Sequence, residues 1–302
     1  MTYGQPYVGT DLGPQLLKEQ GLRPMLSSLG WRVQDEADID FHNYVADRPP
    51  ASTVNNGAKN SLIVGEGTLN LAKIVESTIE RGNFPLILGG DHSIALGSLA
   101  AILKCTPNIG VIWVDAHADL NTPHSSPSGN MHGMPVGLLM EGVVDIADMP
   151  AGCEWVAEYP RLKPDSIVYV GLRDVDTEER KIIRKLGIQA YTMTDIDRHG
   201  IGNVMQMALD HLCKDDPDRP LHLSYDIDAV DPLDAPATGT KVRGGLTFRE
   251  AHFVAEAIAG SGNLASAEIV ELNPSLSDAD GATATVDLGL QLITSFMGKS
   301  II

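Results

Sequence analysis

The sequence predicts an α/β fold: one doubly wound, mostly parallel sheet with helices on both faces, forming a single domain over residues 1–302. Three observations predict it. Short apolar runs alternate with stretches of helical apolar spacing along the whole chain. No composition shift, internal repeat or low-complexity stretch marks a linker. Acidic residues and histidines recur just past predicted strand ends, where open α/β sheets bind their ligands.

The elements follow in order. Through Gly13-Pro14 the chain reads as a Gly/Pro-rich loop. Apolar spacing predicts a helix over 16–29, and Trp31-Arg32-Val33 a strand. The Pro- and Asn-rich residues 42–57 read as a surface loop. An amphipathic helix is expected over 62–79. Its Gly65-x-Gly67 is no dinucleotide fingerprint, because no strand leads into it. Residues 84–88 form a buried strand ending in Gly89-Gly90-Asp91-His92-Ser93, and a helix then runs to about Leu103. Val111-Ile112-Trp113-Val114 is the next strand, followed by a loop over 121–132. A strand over 167–171 has Asp174 and Asp176 just past its end. Helix 177–186, a short strand near Ile188 and helix 201–213 follow. Strand 221–225 ends in Asp226-Ile227-Asp228. Helix 247–259 leads to strand 264–271, which ends at Glu271, and a last helix covers 282–297.

The formal net charge of −18 argues against nucleic-acid or anionic-membrane partners. It favours a cationic substrate or metal, though solubility alone would also explain it. Three cysteines, Cys105, Cys153 and Cys213, are too few and odd in number for a disulfide framework. They read as reduced thiols in a cytoplasmic protein. No signal peptide or bilayer-spanning apolar run is expected.

The chemistry gathers at the strand ends. Side chains alternate along a strand, so Asp115 and His117 point the same way, and Asp119 follows where the chain leaves the sheet. Two carboxylates and an imidazole crowded there are costly unless a cation sits among them. Taken alone, the trio fits a metal site or a polar loop with Asp helix caps equally well. Asp226 and Asp228 repeat the spacing, and His92 completes six candidate ligands. Six protein ligands overfill one zinc ion and suit two divalent ions if carboxylates bridge. Oxygen-rich ligation with imidazole and no thiolate favours Mn²⁺ over zinc or copper.

Gly89-Gly90-Asp91-His92-Ser93, Asp115-Ala116-His117-Ala118-Asp119 and Ser224-Tyr225-Asp226-Ile227-Asp228-Ala229-Val230-Asp231-Pro232 resemble the three signature blocks of the ureohydrolases, and within them the arginases. The likeness runs from about Gly4 to Gly298. It implies an arginase/deacetylase-like architecture and two Mn²⁺ per chain. His92 and Asp119 would serve one ion, His117 and Asp228 the other, with Asp115 and Asp226 bridging. It further implies hydrolysis of L-arginine to L-ornithine and urea, with Glu271 pairing the guanidinium and His132 moving protons. Asn121, Ser126, Ser128 and Asn130 match a polar loop near the substrate carboxylate. Asp176 and Glu179 match acidic positions near the α-amino group, and Thr240 a residue lining the site. A homo-oligomer, trimer or hexamer, is implied, with contacts near Arg249-Glu250. Arginases normally begin with a strand before the Gly-Gln-Pro loop. Only Met1-Thr2-Tyr3 precede Gly4-Gln5-Pro6 here, so that first strand is expected to be missing. The rival readings are an agmatinase or other ureohydrolase, which would not need the carboxylate loop, and a catalytically silent binding protein. A zinc deacetylase would not need both ligand sets.

Overall fold

A two-residue hairpin, β1 (Val54–Asn55) and β2 (Ala58–Lys59), lies apart from the main sheet. That sheet contains β3 (Leu86–Leu88), β4 (Gly110–Val114), β5 (Ile167–Leu172), β6 (Gln189–Thr192), β7 (Leu221–Asp226) and β8 (Leu264–Val270). Its order is β3-β8-β7-β4-β5-β6, and every pairing is parallel. The computed structural model describes residues 1–39, 41, 54–55 and 57–300. Most of the loop expected at 42–57 therefore lies outside the described residues.

The helices are α1 (Gly13–Glu19), α2 (Leu22–Ser28), α3 (Ser61–Glu80), α4 (Ala95–Cys105), α5 (Pro135–Leu139), α6 (Thr177–Leu186), α7 (Met193–Leu212), α8 (Phe248–Ser261) and α9 (Ala279–Phe296). They cover both faces, as the alternation of side chains along the strands requires. Val111 and Trp113 of β4 pack with α3, α4 and α5. Ile112 and Val114 pack with α2, α7, α8 and α9. Strands buried on both faces read as continuous apolar runs, which is why the central ones were legible. No helix among the described residues is long and apolar enough to cross a membrane.

Three expectations are corrected. The helix over 16–29 is two helices, because Gly21 adopts a left-handed conformation (φ 99°) between them. The helix expected over 201–213 is the second part of α7, which begins at Met193 and breaks at Gly200. Trp31-Arg32-Val33 is not a strand. Trp31 packs against Phe84 with the rings tilted and their centroids 5.4 Å apart, and its indole N–H donates to Met297 O at 2.9 Å. Its contacts come from leaning on the sheet margin rather than from ladder pairing, and it stays 38% exposed.

Between residues 31–39 and β3 lies a groove of about 670 Å³, walled by Phe41, Leu71, Ile74 and Val75 of the α3 side and by residues 84–90. Ala267 N donates to Pro85 O and Gly89 N to Ile269 O, so the peptide groups of Leu86 and Leu88 point away from β8, toward this groove. Among the described residues no strand pairs with that edge.

Candidate binuclear metal centre

The two halves of the site come from the exits of neighbouring strands, β4 and β7, and from the loop after β3. His92 is fully buried and stacks flat on Trp113, ring centroids 4.1 Å apart. Its Nδ1 lies 3.1 Å from Asp115 Oδ2, 3.0 Å from Asp119 Oδ2 and 3.2 Å from Asp226 Oδ2. His117 Nδ1 lies 3.2 Å from Asp228 Oδ2 and 3.4 Å from Asp115 Oδ1. All six sequence-predicted ligands thus converge. Five of them form two adjacent groups able to hold an ion, His92–Asp115–Asp226 and Asp115–His117–Asp228, and Asp119 meets the first through His92. Asp115 belongs to both. Asp226 belongs to the first and touches the second by accepting the Asp228 N–H at 2.7 Å.

The electrostatics fit cations. Among the described residues the ion-pair partners of these four carboxylates are His92 and His117. Burial, with Asp228 and Asp115 adding repulsion, pushes the Asp226 carboxyl well above its usual range. Burial and then Asp115 raise Asp119. Burial opposes a charged His92, but Asp115, Asp119 and Asp226 outweigh it and raise its pKa well above normal. Such crowding is costly for the protein alone and favourable around positive ions. Oxygen ligands from four carboxylates with two imidazoles match hard divalent ions.

Second-row contacts aim the ligands, as they do in metal sites generally. The Trp113 indole donates to Asp115 Oδ2 at 2.9 Å, and His117 N to Asp115 Oδ1 at 2.7 Å. His92 Nε2 meets Ser224 Oγ at 2.8 Å, and Ser224 donates to Glu268 Oε1 at 2.6 Å. That chain keeps Nε2 occupied and leaves Nδ1 facing the carboxylates. Thr240 Oγ1 donates to Asp228 Oδ2 at 2.9 Å. Arg173 binds the carbonyls of Asp228, Ala229 and Val242 at 2.5, 3.0 and 2.9 Å, tying the Asp228 turn to the loop behind it.

Glu271 and His132 lie beside the first group. Glu271 Oε1 accepts His92 N at 2.8 Å and sits 3.5 Å from His132 Nδ1. Burial opposes the charged His132 ring, but Glu271 reverses this and raises its pKa. Asp119 and Glu271 are left-handed, with φ of 49° and 68°. Non-glycine residues tolerate this only where surrounding structure enforces it, and functional sites are where it collects. The turn at each strand exit brings these carboxylates back over the site.

The polar loop is present and partly self-satisfied. Asn121 Nδ2 donates to Asp176 Oδ2 at 2.8 Å, and Asn121 Oδ1 accepts Ser125 Oγ at 2.9 Å. Ser126 Oγ accepts Gly129 N at 3.0 Å, and Ser128 Oγ accepts Asn130 N at 3.2 Å. Glu179 is buried, with its oxygens taken by Leu120 N (2.9 Å) and Asp176 N (2.8 Å). Burial pushes its carboxyl up to about 7. Glu179 therefore supports the loop from behind, while Asp176 is exposed at the start of α6.

Sequence reasoning missed Trp113, Ser224 and Glu268 as parts of the site. Trp113 read as core, which it also is. Ser224 stood within a signature block without a role, and Glu268, a charged residue inside a buried strand, was the one available signal.

Comparison with known proteins agrees with the geometry. The arginase family matches residues 1–298. An arginase of Eremothecium gossypii is 42% identical over 300 residues, covering 99% of this chain and 74% of its own. An arginase of Staphylococcus aureus is 41% identical over 302 residues, covering 100% of this chain and 95% of its own. The solved arginase of Bacillus caldovelox superposes with a TM-score of 0.90 at 38% identity, covering 100% of this chain and 97% of that one. The chain is an arginase-type ureohydrolase and belongs to the arginase family.

Proposed function

We propose that this enzyme hydrolyses the guanidinium group of L-arginine to L-ornithine and urea, using two manganese ions per chain. The observation that carries this reading is the pair of ligand groups sharing Asp115, with Glu271 and His132 beside them. His92, Asp119, Asp115 and Asp226 would hold one ion; His117, Asp228 and the shared carboxylates the other. Bound there, such ions supply Lewis acidity and make hydroxide available near neutral pH. Glu271 pairs with the guanidinium and orients its carbon over the ligand groups. His132 delivers a proton to the departing amine, a role imidazole fills because it titrates near working pH. Ser126, Ser128 and Asn130 offer donors to the α-carboxylate, and Asp176 an acceptor to the α-ammonium. The test is urea and ornithine formation from L-arginine with and without Mn²⁺. No urea at saturating Mn²⁺ would overturn the reading.

The exposure of Asp176 sets its weight. A solvated ion pair contributes less than a buried one, so Asp176→Ala should raise KM for arginine roughly tenfold, about 1.4 kcal/mol, with little change in kcat. An unchanged KM would remove Asp176 from the substrate contacts. Agmatine keeps the ammonium and lacks only the carboxylate, so Asp176 cannot by itself separate the two substrates. That selectivity belongs to Ser126, Ser128 and Asn130.

The reading includes a cytoplasmic homo-oligomer, trimer or hexamer. Arg249 pairs with Glu256 at 2.9 Å, and Glu250 accepts the Thr247 N–H at 2.9 Å as part of the α8 cap. Any association near them would add to these contacts within the chain. Light scattering on the active enzyme decides the oligomeric state.

A further inference from the structure

The Gly4-Gln5-Pro6 stretch has no part in the chemistry described so far, yet it passes through the site. Gly4 N donates to Asp91 Oδ2 at 2.9 Å, and Gly4 O accepts His132 N at 3.1 Å. These two bonds clamp the main chain just before Gln5. Gln5 is 6% exposed. Its Nε2 donates to Glu271 Oε2. Its Oε1 is buried and has no hydrogen-bond partner. The carboxamide fits because residue 239 is glycine: a Cβ there would lie 2.6 Å from Oε1 and 3.2 Å from Nε2.

A buried amide oxygen without a donor costs free energy that folding alone does not return. It is tolerated where a ligand supplies the donor. The neighbour of Gln5 is Glu271, the carboxylate that pairs with the guanidinium. A guanidinium presents five N–H donors in one plane, more than one carboxylate can take. Glu271 is already engaged by His92 N on one oxygen and Gln5 Nε2 on the other. We infer that Gln5 is a second guanidinium-recognition residue: its Nε2 fixes the plane of Glu271, and its Oε1 accepts a guanidinium N–H. This rests on the arginine-hydrolysing reading.

Replacing Gln5 by methionine keeps the volume and removes both polar atoms. Gln5→Met should raise KM for arginine roughly ten- to a hundredfold, the usual range for a hydrogen bond to a charged group. Inhibition by L-ornithine, which has no guanidinium, should be unchanged, and so should manganese content. A general structural defect would weaken ornithine binding and metal retention as well. Gly239→Ala leaves Gln5 in place but crowds its carboxamide. It should raise KM for arginine in the same direction. Wild-type KM in Gln5→Met, or equal losses for arginine and ornithine, would overturn the inference. Absence of urea release by the wild type would instead sink the underlying reading.

Discussion

Asp115→Asn should cost the enzyme both metal ions and with them essentially all hydrolysis. Asp115 is the one ligand present in both groups, 3.1 Å from His92 Nδ1 and 3.4 Å from His117 Nδ1. Asparagine keeps the shape and removes the charge. Four carboxylates neutralise two divalent ions, so the variant leaves a net positive, buried centre. Losing even an outer partner of a ligand costs about 10–100-fold in metal affinity, and a shared ligand should cost more than about 100-fold at each ion. Asp226→Asn should weaken both ions less evenly, since it reaches the second group only through the Asp228 N–H. His92→Asn should affect mainly one ion and leave partial activity. Elemental analysis of manganese per chain measures all three. A fully active wild type carrying one ion per chain would sink the binuclear assignment.

His132→Asn should lower turnover by about 10²-fold or more, the usual contribution of a general acid–base group. The side chain is 14% exposed, close enough to solvent to exchange protons and close enough to Glu271, at 3.5 Å, to be held. It contacts no ligand side chain at ion-pair distance among the described residues. Its main-chain bond to Gly4 O does not depend on the ring, so the loop survives the change. Manganese content should therefore stay at the wild-type value. Loss of manganese in this variant would make His132 a ligand and leave the proton transfer without an owner.

Four of the six candidate ligands were legible because they obey strand periodicity. Asp115 and His117 sit two apart past β4, as Asp226 and Asp228 do past β7, and side chains two apart share a face. The central strands were legible because continuous apolar runs have few alternatives. What was not legible depends on tertiary context. Nothing local says that β8 sits between β3 and β7, or that Asp119 and Glu271 turn left-handed. The Trp31-Arg32-Val33 triplet had strand composition, but its tryptophan found Phe84 and Met297 instead of a ladder partner. The helix breaks at Gly21 and Gly200 were visible as glycines, but apolar spacing on both sides concealed them. Glu179 carried the right charge for a substrate contact, yet two main-chain donors had already claimed it.

The margin of the sheet bears on how firmly a metal at this site would be kept. β3 is three residues long, is paired on one side among the described residues, and leads directly into the loop that carries His92. A short, one-sided strand opens at low free energy, well below global unfolding. Each such opening would carry His92 away from Asp115 and Asp226, which stay with the central strands. By mass action, an ion bound across that junction resists the opening. The amide of Gly89, bonded to Ile269 O at 2.8 Å, should therefore exchange hydrogen far faster than those of Ile112 or Val168, and manganese should slow it selectively. Exchange at β3 that is insensitive to manganese would show that the strand and the ion are not linked. Where they are, a bound metal would fasten that border of the sheet, and chelation would release it before the core.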